Sequence, residues 1–102
     1  MSDTPADPRE SLAAVITAFG ERLPGRVREL TDALARARGG DATATAEAHS
    51  LAHRLAGTAG SYGHVEAGRH AAAIEDQLGC DAPDWAAVDA ALAALTASAA
   101  RP

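Results

Sequence analysis

The stretch AHRLAGTAGSYG, residues 52 to 63, places three glycines directly after a histidine in a chain otherwise rich in helix-forming residues. A glycine inside a helix costs about 1 kcal/mol relative to alanine. The three glycines therefore lower the stability of the helix at this point. The weakening needs a reason, either in the packing of the backbone or in the function of the histidine.

The composition favours one small all-α domain. The chain has 102 residues, is dominated by good helix formers, and contains only 3% aromatic residues. A net charge of −5 argues against nucleic acid and against an anionic membrane surface as partners. The apolar run AALAALTASAA, residues 90 to 100, is too short to span a bilayer. The single cysteine, Cys80, excludes an internal disulfide and fits a cytoplasmic protein.

The N-terminal part is expected to contain an additional short helix. In DPRE, residues 7 to 10, an aspartate at the cap position precedes a proline and then a glutamate, which together predict a helix start. Gly20 and Pro24 are expected to break or kink this helix, since proline removes a backbone donor. A second helix follows, ending at Gly39 and Gly40. We expect residues 1 to 6 to form a disordered tail and residues 7 to 100 to form the domain.

Three further helices are predicted by apolar residues that recur at helical spacing. The first is capped by Asp41 or Thr43, the next begins near Val65, and the last follows the turn GCDAPD, residues 79 to 84. Because the connections are short, we expect an up-down antiparallel four-helix bundle. Each of the five predicted helical segments has one apolar stripe, expected to face the core. In chain order, the stripes are Leu12, Val15, Ile16, Phe19 and Leu23; Val27, Leu30, Leu34 and Ala37; Leu51, Leu55, Thr58 and Tyr62; Ala67, Ala71, Ile74 and Leu78; and Trp85, Val88, Leu92 and Leu95.

His53 is predicted to point away from this core. A helix turns about 100° per residue, so a residue two positions from both Leu51 and Leu55 lies nearly opposite their stripe. The residues that share its face are His49, Ala56, Gly57 and Gly60. Gly57 and Gly60 lie on the solvent side, whereas Gly63 and Gly68 suit close packing of helix backbones. Bare backbone beside an exposed imidazole allows another protein's active site to approach it closely.

The stretch resembles the signature of histidine-containing phosphotransfer (HPt) domains, in which Ala-His-x-Leu-Lys/Ala-Gly is followed by a further glycine. His53, Leu55, Gly57 and Gly63 are in register with that signature. The resemblance extends to AGRHAAAIEDQL, residues 67 to 78, with its apolar-glutamate pair Ile74-Glu75. It also extends back to AFGERLPGRVRELTDALARA, residues 18 to 37, and covers about residues 10 to 95 in all.

The resemblance implies a phosphorelay intermediate that carries a phosphoryl group and is not an enzyme. His53 corresponds to the phosphorylated histidine, Gly57 to the small residue that leaves room for the incoming partner, and Gly63 to the closing glycine. The implied partners are a response-regulator receiver domain, a hybrid histidine kinase, or both. The receiver domain would supply Mg²⁺, and the chain itself no cofactor. We expect a bacterial, cytoplasmic monomer.

One position departs from the family pattern. Many members carry a lysine three residues after the histidine, where this chain has Ala56. Arg54 or Arg69 is the candidate that replaces its positive charge. The residues expected to dock the phosphoryl group or the partner are His49, Arg54, Ala56, Gly57, Gly60, His64 and Arg69.

Two other functions remain open from the residues alone. His49 and His53 have the i, i+4 spacing of two zinc ligands. Ser50 stands where the motif HExxH has its catalytic glutamate, so hydrolysis is not expected. A helical bundle that binds a metal through His49 and His53 stays an alternative, although we assign no metal ligands. The glycines do not form a P-loop, because the motif lacks its Lys-Ser/Thr ending. An HPt-like module that docks a kinase or receiver without carrying phosphate is the other alternative.

Overall fold

The computed structural model describes residues 8–100, with side chains from residue 11 onward. These residues form four helices: α1, Pro8–Arg38; α2, Ala42–Ser61; α3, Val65–Leu78; and α4, Trp85–Ala99. Each helix packs on the next, and α1 also contacts α4. No strand occurs between residues 8 and 100. The predicted all-α, up-down four-helix bundle is confirmed for this part of the chain.

The first helix is continuous, so the predicted break at Gly20 and Pro24 is wrong. The additional short N-terminal helix is not a separate element, because its residues from Pro8 onward belong to α1. Leu23 and Val27 flank the proline and are both buried in the core, which holds the helix together on either side. The carbonyl that the proline ring crowds belongs to Gly20, whose backbone adjusts easily because it has no side chain.

Two predictions for the N-terminus lie outside what the structure describes. The proposed tail, residues 1 to 6, is one of them. The proposed helix cap is the other, because Asp7 and the side chain of Glu10 are not described.

The apolar stripe of α1 is buried only in its later part. Leu12, Val15 and Ile16 are exposed, with 56%, 47% and 37% of their surface accessible, so their assignment to the core is wrong. A 31-residue helix is about 46 Å long, whereas the 20-residue α2 is about 30 Å long. The first turns of α1 therefore extend past the helix that would cover them. Phe19 is the first buried side chain, with its ring 5.0 Å from that of Tyr62.

The other predicted stripes meet in one hydrophobic core, with one exception. Thr58 is exposed and donates its hydroxyl hydrogen to the Arg54 carbonyl, so its place in the core stripe is wrong. Large aliphatic side chains from α1, α3 and α4 fill the centre, while the buried positions of α2 are mostly alanine. Small side chains let the helices approach closely. The fully buried large residues are Leu23, Leu30, Ile74, Val88 and Leu95.

Gly68 marks the closest approach of α2 and α3. A Cβ atom at this position would lie 3.1 Å from the Ala56 carbonyl oxygen and 3.2 Å from the Gly60 nitrogen. This glycine therefore serves close packing, as expected. Gly63 does not: a Cβ there meets nothing within 4 Å, but its φ of +86° lies in the left-handed region that glycine adopts without strain.

Caps and one arginine fix the ends of the bundle. Asp41, and not Thr43, caps α2 by accepting a hydrogen bond from the Ala44 nitrogen. At the same end, the guanidinium of Arg38 lies 4.8 Å from the centre of the Trp85 ring and also donates to Asp89. These contacts connect the end of α1 to the start of α4. No helix within residues 8–100 is long and apolar enough to cross a membrane.

We expect Gly68→Ala to lower the free energy of unfolding by about 1 kcal/mol, because overpacking against fixed backbone outweighs the gain in helix propensity. Urea denaturation followed by circular dichroism measures the change. Gly25→Ala is the matched control, since its Cβ would meet only the Arg28 side chain, at 3.7 Å. Equal or higher stability of Gly68→Ala would contradict the close approach of α2 and α3.

Candidate functional site

The outward ridge of α2 carries His53 and its small neighbours. The flanking Ala52 and Leu55 are buried, whereas 70% of the His53 side chain is exposed, as its helical phase predicts. Gly57 and Gly60 are also exposed, and a Cβ at either would meet no packed neighbour within 4 Å. Packing within the fold therefore does not account for these two glycines. They leave one side of the imidazole open to another molecule.

Glu75 on α3 holds the imidazole ring of His53. Its carboxylate oxygen Oε2 lies 2.5 Å from Nδ1 of His53, and 23% of its side chain is exposed. An ionised carboxylate only accepts hydrogen bonds, so Nδ1 is the donor. The other ring nitrogen, Nε2, then keeps its lone pair in the neutral imidazole. The contact leaves Nε2 as the ring nitrogen with a free lone pair.

The close approach at Gly68 sets this contact. Along α3, Glu75 lies about two turns beyond Gly68, and along α2, His53 lies about one turn before Ala56 and two before Gly60. The adjacent Ile74 is fully buried and fixes the rotation of α3, which turns Glu75 toward α2. Sequence reasoning assigned no role to Glu75. The only sequence feature that pointed to Glu75 is the pair Ile74-Glu75, which is part of the family resemblance.

The structure brings together some of the predicted docking residues. His49, Arg54, Gly57 and Gly60 lie on α2 with His53, and Arg54 is on the side of the ridge that faces α1, where it lines a depression with Arg26. Ala56 is only half-buried: its side chain packs against the core, and its carbonyl faces Gly68. This alanine does not occupy the open surface.

The other two predicted residues lie outside α2. His64 precedes α3, and its ring is 5.5 Å from that of Phe19 on α1. Its Nε2 is only 3.5 Å from the Cβ position of Gly20, so Gly20 leaves space for this imidazole. Arg69 is exposed and pairs with Glu66 on its own helix, at an Nη1–Oε1 distance of 3.5 Å.

The histidine pair offers little to a metal ion. In the part of the chain that is described, no group of three or more histidine, cysteine, aspartate or glutamate side chains converges on one point. Nδ1 of His53 is already engaged by Glu75. Within residues 11–100, no third metal-binding side chain therefore converges with His49 and His53.

Comparison with known proteins gives one match. The family model described as Hpt domain matches residues 14–101, nearly the whole chain. No curated protein and no solved structure gives a significant match.

We expect Gly57→Ala to raise the free energy of unfolding by about 0.5–1 kcal/mol, since alanine is the better helix former and its methyl group enters open space. Thermal and urea denaturation measure the difference. Gly60→Ala tests the same point one turn further along α2. A loss of stability in Gly57→Ala would show that the fold itself requires this glycine.

Proposed function

The chain belongs to the Hpt domain family, and from that membership we propose that it is a phosphorelay intermediate that accepts a phosphoryl group on His53. The donor is the aspartyl phosphate of a receiver domain, or a kinase, and the acceptor is a second receiver domain. The observation that carries the proposal is the hydrogen bond from Nδ1 of His53 to Glu75, on a ridge left open by Gly57. An exposed, oriented imidazole is what a phosphoryl acceptor requires.

The proposed transfer forms one bond and breaks one. Nε2 attacks phosphorus, the bond from phosphorus to the aspartate oxygen breaks, and the aspartate leaves as a carboxylate. Positive charge develops on the ring as the P–N bond forms, and the Glu75 carboxylate at Nδ1 offsets it. In the second transfer Nε2 is the leaving group and an aspartate oxygen takes the phosphoryl group. Such reactions depend mainly on alignment and charge neutralisation.

The Mg²⁺ ion belongs, in this proposal, to the receiver partner. The carboxylate nearest His53 is Glu75, which is occupied by the ring, and the described residues bring no further metal ligands to it. The chain then contributes the nucleophile and the docking surface and holds no cofactor of its own. It acts as a phosphoryl carrier, which we place in the cytoplasm of a bacterium, as a monomer.

A docking module that carries no phosphate is the second candidate. The observation that favours it is Ala56, at the position of the family's frequent lysine, in a chain that contains no lysine at all. The contact between His53 and Glu75 favours the carrier, because simple docking does not need an imidazole held in one tautomer.

We expect wild-type protein to acquire acid-labile, base-stable phosphate from at least one member of a panel of phosphorylated receiver domains with Mg²⁺. His53→Gln should acquire none, because it lacks the nucleophilic nitrogen. Transfer is measured with labelled phosphate. Binding of a receiver domain without transfer of label would replace the carrier with the docking module. Label retained by His53→Gln would move the acceptor to another residue.

We expect Glu75→Gln to lower the rate constant of phosphoryl acceptance by about tenfold, since the amide still orients the ring but no longer offsets its charge. The apparent KM for the phosphorylated receiver should stay unchanged. Glu66→Gln is the matched control, because Glu66 lies on the same helix and pairs with Arg69. Equal rate constants for the two variants would show that Glu75 has no part in the transfer.

A further inference from the structure

The seven arginines whose side chains the structure describes divide into two groups. All nine basic residues are arginine, and the net charge is −5. Arg36, Arg38 and Arg69 each pair with a carboxylate: Glu47, Asp89 and Glu66. Within residues 11–100, the other four have no carboxylate oxygen within 4 Å. These four are Arg22, Arg26, Arg28 and Arg54.

Three of the four line one groove between α1 and α2, which we name the arginine groove (Arg22, Arg26 and Arg54). Arg26 and Arg54 share a depression with Leu51 and Leu55. Arg22 and Arg26 share the next one, with Thr58 and Tyr62. Because Arg26 belongs to both, the three arginines line one continuous groove. Arg28 lines the groove between α1 and α4 and also a depression along α1 that it shares with Arg22, Arg26, Glu21 and Glu29.

Within residues 11–100, no ion pair stabilises these three arginines. Arg22 and Arg26 are four residues apart on one helix, and like charges at that spacing destabilise a helix. The only carboxylate that lines the depression of Arg26 and Arg54 is Glu29, and no ion pair forms with it. A concentration of unpaired positive charge in a negatively charged chain points to an anionic partner outside the chain.

The arginine groove follows the ridge of His53. Arg54 is the next residue after His53, and Thr58 is the next after Gly57, so each lies about 100° around α2 from the ridge. On the other side of the ridge, α3 presents Glu75. The surface around the imidazole is therefore positive toward α1 and negative toward α3.

We propose that the arginine groove binds carboxylates on the face of the receiver partner and so fixes the orientation in which that partner docks over His53. This inference rests on the proposed function. A partner that holds Mg²⁺ and a phosphoryl-accepting aspartate must present carboxylates around its site, since they are the ligands Mg²⁺ takes from proteins. Guanidinium groups bind carboxylates through paired, directional hydrogen bonds. Glu75 repels the same carboxylates. The favoured orientation is therefore the one that places the partner's carboxylates over the arginine groove and away from Glu75.

The charge reversal Arg26→Glu tests the groove, because Arg26 is its central member. With a receiver domain that phosphorylates the wild type, we expect kcat/KM to fall about tenfold at low salt, through KM, since the variant loses electrostatic attraction and adds repulsion. Near 1 M ionic strength, where the Debye length is about 3 Å, the difference should shrink to about twofold. Arg28→Glu makes the same charge change on α1 at a residue that does not line the two depressions between α1 and α2, and it should match the wild type within about twofold.

A second phosphoryl donor separates docking from chemistry. Phosphoramidate phosphorylates histidine without a protein partner: its P–N bond breaks, the new bond to Nε2 forms, and ammonia leaves. The rate with this donor should be equal in wild type and Arg26→Glu, and circular dichroism should show equal stability. A slower rate with phosphoramidate would mean that Arg26 acts on His53 itself, which overturns the docking role.

The outcomes for the two proposals differ. If the wild type takes phosphate from receiver domains and Arg26→Glu performs as well as Arg28→Glu, the arginine groove is not a docking surface, although the carrier function stands. A loss of transfer that persists unchanged at high salt also overturns the electrostatic role. If neither a receiver domain nor a kinase phosphorylates the wild type, the proposed function fails, and this inference fails with it.

Discussion

The contact of α2 with α3 at Gly68 is the constraint on which the site depends. A backbone oxygen and a backbone nitrogen of α2 lie just over 3 Å from the place where any other residue would carry its Cβ. Backbone atoms cannot rotate away as a flexible side chain can, so this contact determines the register of the two helices. The register in turn places a carboxylate of α3 within hydrogen-bond distance of an imidazole on α2. A methyl group two turns away would disturb that geometry.

The glycines of residues 52 to 63 and their neighbours have three separate physical causes. Gly68 allows two backbones to approach, and Gly63 provides a left-handed turn after α2. Neither purpose requires a glycine at Gly57 or Gly60, because both are helical and exposed and a Cβ at either would meet nothing within 4 Å. The weakening of the helix after His53 therefore has no cause in the fold. In the proposed function, a partner that must reach the imidazole supplies one.

Sequence patterns predict much of this fold, because periodicity reports the direction of each side chain on its own helix. The positions of α2, α3 and α4 and the exposure of His53 follow from it. The break at Pro24 was wrong because burial of Leu23 and Val27 overrides a local preference. Leu12, Val15 and Ile16 were misplaced for a related reason: an apolar stripe does not report whether another helix is long enough to cover it.

Periodicity does not predict which side chains of two different helices come into contact. Glu75 is separated from His53 by 22 residues, and their contact depends on a register that no single helix encodes. The same holds for the contact between His64 and Phe19, which joins residues 45 positions apart. The row formed by Arg22, Arg26 and Arg54 likewise appears only when α1 and α2 are placed side by side.

In the proposed function, α3 holds His53 as the Nδ1–H tautomer and so leaves Nε2 as the phosphoryl acceptor. The most direct measurement is a long-range ¹H–¹⁵N correlation spectrum of the histidine rings in the unphosphorylated protein, recorded at a pH where the imidazole of His53 is neutral. We expect a protonated Nδ1 and an Nε2 with the ¹⁵N chemical shift of an unprotonated ring nitrogen. A protonated Nε2, or the averaged shifts of a ring that exchanges freely between tautomers, would contradict it.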